Sequence, residues 1–278
     1  MALTVNTNLS AIRAANTLNQ TQGALSHTLA RVSTGLRVTS AADDAAGAAV
    51  ASNLATQARS GRQAIRNAND GISVIQTAEA ASKEVLNILD RMRELAVQSS
   101  SETLDDGERA YLDSELEDLS AEVERIAQAS EFNDIALGDG TNTSLTVQVG
   151  VTSGTESEVA ITLGDLTASN LGVDTSATGL DLSSASAAQS AIDDIDTAID
   201  SVNSIRADYG STQNRLGSAL NNMTAYVESL TSAVSQIMDA DYAHETAEMT
   251  KLQVMQQAGV AALAQARTVN QSVISLLG

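Results

Sequence analysis

Two histidines, no cysteine and thirty-five carboxylates bound the chemistry this sequence can attempt. The most suggestive run is His244-Glu245-Thr246-Ala247-Glu248. A zinc-protease helix needs imidazoles at i and i+4, so that both rings reach one metal. Here the second position is Glu248, and the only other histidine, His27, is far away in sequence. A solvated or interface histidine is the simpler reading. Acidic clusters at residues 105–108, 115–118 and 193–200 have the residue types for cation binding or paired-carboxylate catalysis. None has the spacing of an EF-hand loop, and a solvated helix face or an ionic contact between subunits accounts for them. No serine sits in a G-x-S-x-G elbow, and two histidines give little scope for a triad. Gly138-Asp139-Gly140 lacks the spacing and following lysine of a phosphate loop, and reads as a turn. Without cysteine there is no thiolate nucleophile, disulfide or cysteine-based metal site. The sequence predicts no catalytic centre, no metal and no cofactor.

The elements available to position any site are long helices. Proline is absent, where about 14 would be usual for this length. Proline removes an N–H and clashes with the preceding turn, so its absence permits helices of unusual length. Aromatic residues are only 2% of the chain, too few for an ordinary compact core. Apolar stripes at steps of 3, 4 and 7 run through Leu18, Leu25, Leu29, Val32 and Leu36, and through Leu252, Met255, Gly259, Ala262, Ala266, Val269, Val273 and Leu276. Both read as coiled-coil seams. Helical stripes also run over residues 48–98, 112–126 and 188–237, with a bend expected at 37–47 and a break at 99–105. Asp105 followed by Glu108 is a capping-box signal. Residues 144–151 (SLTVQVGV) and 158–163 (EVAITL) alternate with period 2, which predicts a β-hairpin turning at 150–155. The expected fold is mainly α, a long antiparallel helical bundle or coiled coil with a small β-hairpin region.

Charge divides the chain unevenly. Residues 1–69 sum to +4, residues 70–205 to −22 and residues 206–278 to −2. An acidic middle disfavours nucleic-acid binding. It suits near-neutral ends buried in an assembly. Arg59, Arg62 and Arg66 share one helix face, and pairing with the acidic middle of another subunit is the expectation, to be loosened by raised salt. No apolar stretch approaches a membrane helix, and the stripe after Leu252 lacks the basic polar face of an interfacial helix, so no membrane insertion is expected. No secretory signal peptide is visible, and general rules alone point to the cytoplasm. The terminal stripes contain many Ala and Gly, so their pairing buries little apolar area. They need neighbours, and polymerisation supplies them.

At both ends the sequence resembles bacterial flagellin. The matching segments are residues 32–47 (VSTGLRVTSAADDAAG), 89–98 (LDRMRELAVQ), 206–216 (RADYGSTQNRL), 239–243 (DADYA) and 258–265 (AGVAALAQ). The tail NQSVISLLG departs from the usual pattern in lacking proline. The resemblance implies a short flagellin without outer inserted domains. Residues 1–43 and 239–278 would form the inner filament tube, and residues 44–238 a helical bundle with a hairpin at about 140–165. It implies a structural subunit, not an enzyme, exported unfolded through the flagellar type III apparatus to the cell exterior. It also implies partners: further copies of itself, an export chaperone, a filament cap and hook–filament junction proteins. A vertebrate Toll-like receptor for flagellin is implied too, at Arg91, Leu95 and Gln98, which i, i+4, i+7 spacing places on one helical face, and at Glu115. The alternatives are the hook–filament junction protein, which has related termini, and more remotely an adhesin or enzyme on a helical scaffold.

Overall fold

The computed structural model describes residues 7–176 and 180–277, with side chains described as far as residue 268. Five helices account for most of it: α1 (Leu9–Thr34), α2 (Ala45–Ser99), α3 (Asp106–Ala129), α4 (Ala185–Met238) and α5 (Tyr242–Leu277). Two small antiparallel hairpins lie between α3 and α4 in sequence. They pair β1 (Glu131–Phe132) with β2 (Ile135–Ala136), and β3 (Ser144–Gln148) with β4 (Glu158–Thr162). The fold is mainly α, as the periodicity predicts. The chain forms two compact units, residues 1–57 with 228–278 and residues 58–227. That division falls inside the boundaries expected at 43 and 239, because the early turns of α2 and the last turns of α4 group with the chain ends.

In the unit of residues 58–227, α2 and α4 are antiparallel. Gly61 lies against Val227, Gly71 against Leu216, Glu79 pairs with Arg206 and Arg93 with Asp196, so partner numbers fall as residue numbers rise. One core cluster joins α2 (Val85, Leu89, Met92, Leu95), α3 (Leu116, Val123) and α4 (Ile195, Val202). The other joins α2 (Val74, Ile75), the β3–β4 hairpin (Val147, Val159, Ile161) and α4 (Tyr209, Leu216). Helix α3 begins as the sequence predicts. The Asp105 carboxylate accepts from the Glu108 N–H at 2.7 Å, and the Glu108 side chain accepts from the Asp105 N–H at 3.2 Å. These two bonds satisfy donors that a helix start leaves open.

The β3–β4 register runs from Ser144 opposite Thr162 to Gln148 opposite Glu158, and alternation buries Val147, Val159 and Ile161. The β1–β2 hairpin was not expected. Asn133 and Asp134 both have positive φ, 51° and 62°, the conformation of a two-residue type I′ turn. Asn and Asp tolerate it because their short polar side chains bond locally. The irregular stretch before α4 is tied to α3. Ser120 Oγ donates to the Val173 carbonyl at 2.8 Å, and the Leu182 N–H donates to Asp113 at 2.8 Å. Buried Arg109 holds the loop after α2, its Nη2 donating to the Ser101 carbonyl at 2.8 Å.

Candidate assembly interface

In the unit of residues 1–57 and 228–278, α1 and α5 pair antiparallel. Leu18 faces Gly259, Arg31 reaches Glu245, and the Asn8 side chain donates to the Ala266 carbonyl at 2.8 Å. Asn8 also caps α1, accepting from the Ala11 N–H at 3.0 Å. Gly35 ends α1 in the left-handed region at φ 71°, which glycine adopts without steric cost. The chain then joins the α4–α5 junction. The Arg37 N–H donates to the Met238 carbonyl at 2.6 Å, the Ala240 N–H to the Gly35 carbonyl at 2.9 Å, and Leu36 bridges Asp239. Tyr242 closes the joint, its hydroxyl donating to the Val32 carbonyl at 2.8 Å.

The paired faces differ from the expected seams at four positions. On α1 the inward positions are Ala11, Ala14, Leu18, Thr21, Leu25, Thr28 and Val32, at alternating steps of 3 and 4. Leu18, Leu25 and Val32 are there as expected. Leu29 is 55% exposed, because Thr28 takes the position between Leu25 and Val32. Leu36 lies beyond α1, half-buried in the junction. On α5 the inward positions are Glu245, Met249, Leu252, Gln256, Gly259, Leu263 and Ala266. Met255 is 43% exposed and Ala262 is exposed, each displaced by its neighbour Gln256 or Leu263. Leu252, Gly259 and Ala266, one heptad apart, do face α1. Val269, Val273 and Leu276 lie on α5, but their side chains fall outside the described residues.

The α1–α5 contact is therefore polar and thin. Among the described residues Leu252 is its one large apolar side chain below a tenth exposed, while Thr21, Thr28 and Glu245 are equally buried. Glu245 accepts from Arg31 Nη1 at 3.3 Å, and Arg31 Nε is buried without a partner. Thus the glutamate of the near-HExxH run is a seam residue, and His244 is exposed. At the bend after α1, Asp43 accepts from the Thr39 hydroxyl and N–H, each at 2.9 Å, from the Ser40 N–H at 3.0 Å, and meets His27 Nε2 at 2.8 Å. The Thr39 hydroxyl bond, then those from the Ser40 and Thr39 amides and His27, holds this carboxyl well below the usual carboxylate range.

Exposed apolar side chains gather in this unit. Among the described residues, Leu9, Ile12, Leu29, Val50, Tyr242, Val254, Met255 and Val260 are the exposed large ones here, against Val97 and Tyr111 in the other unit. By number this sets the unit apart from the other one, where only two such side chains are exposed among the described residues.

The four residues expected to meet a receptor belong to the other unit and do not share one exposed face. Arg91 is exposed, with its guanidinium on Glu115 at 2.8 Å and on Glu94 at 3.0 Å. Gln98 is exposed too. Leu95 is 1% exposed, packed in the cluster with Met92 and Leu116. The α2 core stripe passes through Val85, Leu89, Met92 and Leu95, which turns Leu95 inward. No group of three or more His, Asp or Glu side chains is placed to hold a metal among the described residues. None of the described helices is long and apolar enough to cross a membrane.

Two family models match the chain. Residues 5–143 match the bacterial flagellin N-terminal helical region, and residues 192–277 the bacterial flagellin C-terminal helical region. A flagellin of Halalkalibacterium halodurans is 42% identical over 260 residues, covering 94% of this chain and 93% of its own. A flagellin of Salmonella typhimurium is 40% identical over 175 residues, which cover 63% of this chain and 35% of that longer protein. In fold, the chain is similar to a putative flagellar hook-associated protein from Vibrio parahaemolyticus, with a TM-score of 0.60 and 16% identity over 71% of this chain and all of the other.

Proposed function

This chain belongs to the bacterial flagellin family and is a structural subunit of the flagellar filament, and from that premise we propose that its assembly surface is the outer side of the α1–α5 pair. The subunit is not an enzyme, and its filament lies outside the cell. The supporting observation is the gathering of exposed apolar side chains on residues 1–57 and 228–278. Inward positions of the pair hold Thr21, Thr28, Glu245 and Gln256, a seam too polar to sustain two isolated helices. Outward positions hold Ile12, Leu29, Val254, Met255 and Val260. Burying these against neighbouring copies supplies the missing apolar area, about 1.5–3 kcal/mol for each large side chain fully covered. In this reading residues 1–43 and 239–278 form the inner tube, and residues 44–238 form the helical bundle. Leu29, Met255 and Ala262 are contacts between subunits, while Leu18, Leu25, Leu252 and Gly259 hold α1 to α5.

The finer partners follow from the same reading. Export runs through the flagellar type III apparatus with the terminal helices unpaired, which suits a chain without disulfides or proline isomers. An export chaperone, the filament cap and the hook–filament junction proteins meet the same ends. A vertebrate Toll-like receptor contacts Arg91, Gln98 and Glu115, with Leu95 beneath them as a core support. The junction-protein alternative keeps only the likeness of its termini, and the solved hook-associated structure adds no more than a shared fold. The experiment is direct: dissociate the purified chain by heat, cool it with filament seeds, and image it. Filaments that lengthen support the assignment. No filaments from the full-length chain would overturn it.

A further inference from the structure

The unit of residues 58–227 is electrically polarised. The part built around the β3–β4 hairpin (residues 58–78, 135–164 and 206–227) has five arginines and five carboxylates. The part built around α3 (residues 79–134 and 165–205) has five basic residues and twenty-three carboxylates. On the first part, Arg59, Arg62 and Arg66 lie along one exposed face of α2. Arg66 donates only to neutral Gln63, at 3.1 Å from Nε, and neither Arg62 nor Arg66 has a carboxylate in ion-pair range among the described residues. On the second part, Glu117, Asp118, Glu124 and Asp174 line a cleft of about 500 Å³ beside α3. Glu124 accepts from the Ala168 N–H at 3.0 Å, whereas Glu117 and Asp118 are exposed without a cationic partner among the described residues.

These two features cannot neutralise each other within one chain. The Arg91–Glu115 pair sets α3 beside the far part of α2. Along the α2 axis, Arg62 is about 40 Å from that level. Screening at physiological salt extends about 8 Å. Only a second copy can bring the faces together. We propose that the Arg62–Arg66 face of one subunit docks on the Glu117–Asp118 cleft of a neighbouring subunit. The proposal rests on the filament reading and adds a contact away from the terminal helices. The two faces lie on different parts of the surface, so the contact is heterologous and continues from copy to copy, as an open polymer requires. Acidic cleft against acidic cleft is repulsive, which excludes the reversed orientation.

The test is a charge exchange in the full chain. One variant carries Arg62→Glu and Arg66→Glu, so both its faces are acidic. The other carries Glu117→Arg and Asp118→Arg, so both are basic. All four side chains are exposed, and circular dichroism checks that both variants keep the wild-type helix content. Each variant alone should extend wild-type seeds at least tenfold more slowly than wild type. An equal mixture should recover most of the rate, because acidic and basic faces then alternate. Arg62→Gln with Arg66→Gln should fall between and should not be rescued. Wild-type extension by either reversed variant alone overturns the proposal, as does a mixture no faster than its components. In both cases the filament reading survives if wild type extends the seeds. If wild type does not, both fall.

Discussion

The Arg31–Glu245 pair is the most exposed point of the α1–α5 account to a quantitative test. At 3.3 Å the gross attraction between unit charges is about 5 kcal/mol at an effective dielectric of 20. Most of this is offset. The Glu245 side chain is 9% exposed, so its carboxylate has lost nearly all its hydration, and Arg31, at 29%, gives up freedom to meet it. The expected coupling is about 1–2 kcal/mol. That lies above the 0.2–1 kcal/mol of exposed pairs and below the 3–5 kcal/mol lost when a fully buried pair is broken. Glu245→Ala and Arg31→Ala should each lower amide protection of α1 and α5 in assembled filaments by about 5- to 30-fold. Glu245→Gln should cost less than Glu245→Ala because it keeps a hydrogen-bond acceptor. Arg31→Leu with Glu245→Leu should recover much of the loss, since no uncompensated charge is left in the seam. Hydrogen exchange with residue-level readout gives all four values. Unchanged protection in both single variants, or a double variant as poor as their sum, refutes the reasoning.

Three further outcomes follow from other contacts. Leu95→Ala should destabilise the residue 58–227 unit by about 2–5 kcal/mol, because it empties a fully buried site, while Arg91→Ala should leave its melting unchanged. Denaturant unfolding separates the two, and a receptor reporter assay with the stable Arg91→Ala variant then reads the contact alone; wild-type signalling would exclude Arg91 from it. Asp105→Ala should cost about 1 kcal/mol through the lost capping box, seen as fraying of the first turn of α3 by hydrogen exchange. Asp43 has a lowered folded-state pKa, so its stabilising effect is complete above the unfolded value of about 3.9 and is lost as pH falls through the folded value. An acid titration of the residue 39–43 turn by NMR should show wild type holding the turn below pH 4, whereas Asp43→Asn should lack that pH dependence.

Sequence periodicity made the helices, the α3 cap and the β3–β4 hairpin legible, because each rests on local chemistry. Asp105 and Glu108 lie three residues apart and need nothing distant to bond each other. Val147, Val159 and Ile161 alternate regardless of what covers them. The inner positions of α1 and α5 were harder to read. A step of 7 between Leu18 and Leu25 leaves the middle position open, and Thr21, which an apolar pattern passes over, fills it. Met255 and Gln256 lie on either side of a 3-or-4 choice that only the partner helix decides. The outward placement of Leu29 and Met255 is also what a subunit with unburied outer surfaces requires. Leu95 shows the opposite limit. Spacing alone puts it with Arg91 and Gln98, but the packing of α3 and α4 against α2 turns it into the core. The β1–β2 hairpin was visible only as Asn133-Asp134 between apolar neighbours, too short a signal to stand out.

The central claim is that the chain ends assemble the filament, and truncation tests it most directly. A chain lacking residues 1–43 and 239–278 loses α1 and α5 entirely but keeps both core clusters of the residue 58–227 unit. It should remain folded by circular dichroism, stay monomeric in sedimentation, and fail to extend filament seeds that the full-length chain extends. Seeded filaments growing from the truncated chain as they do from the full one would contradict the account.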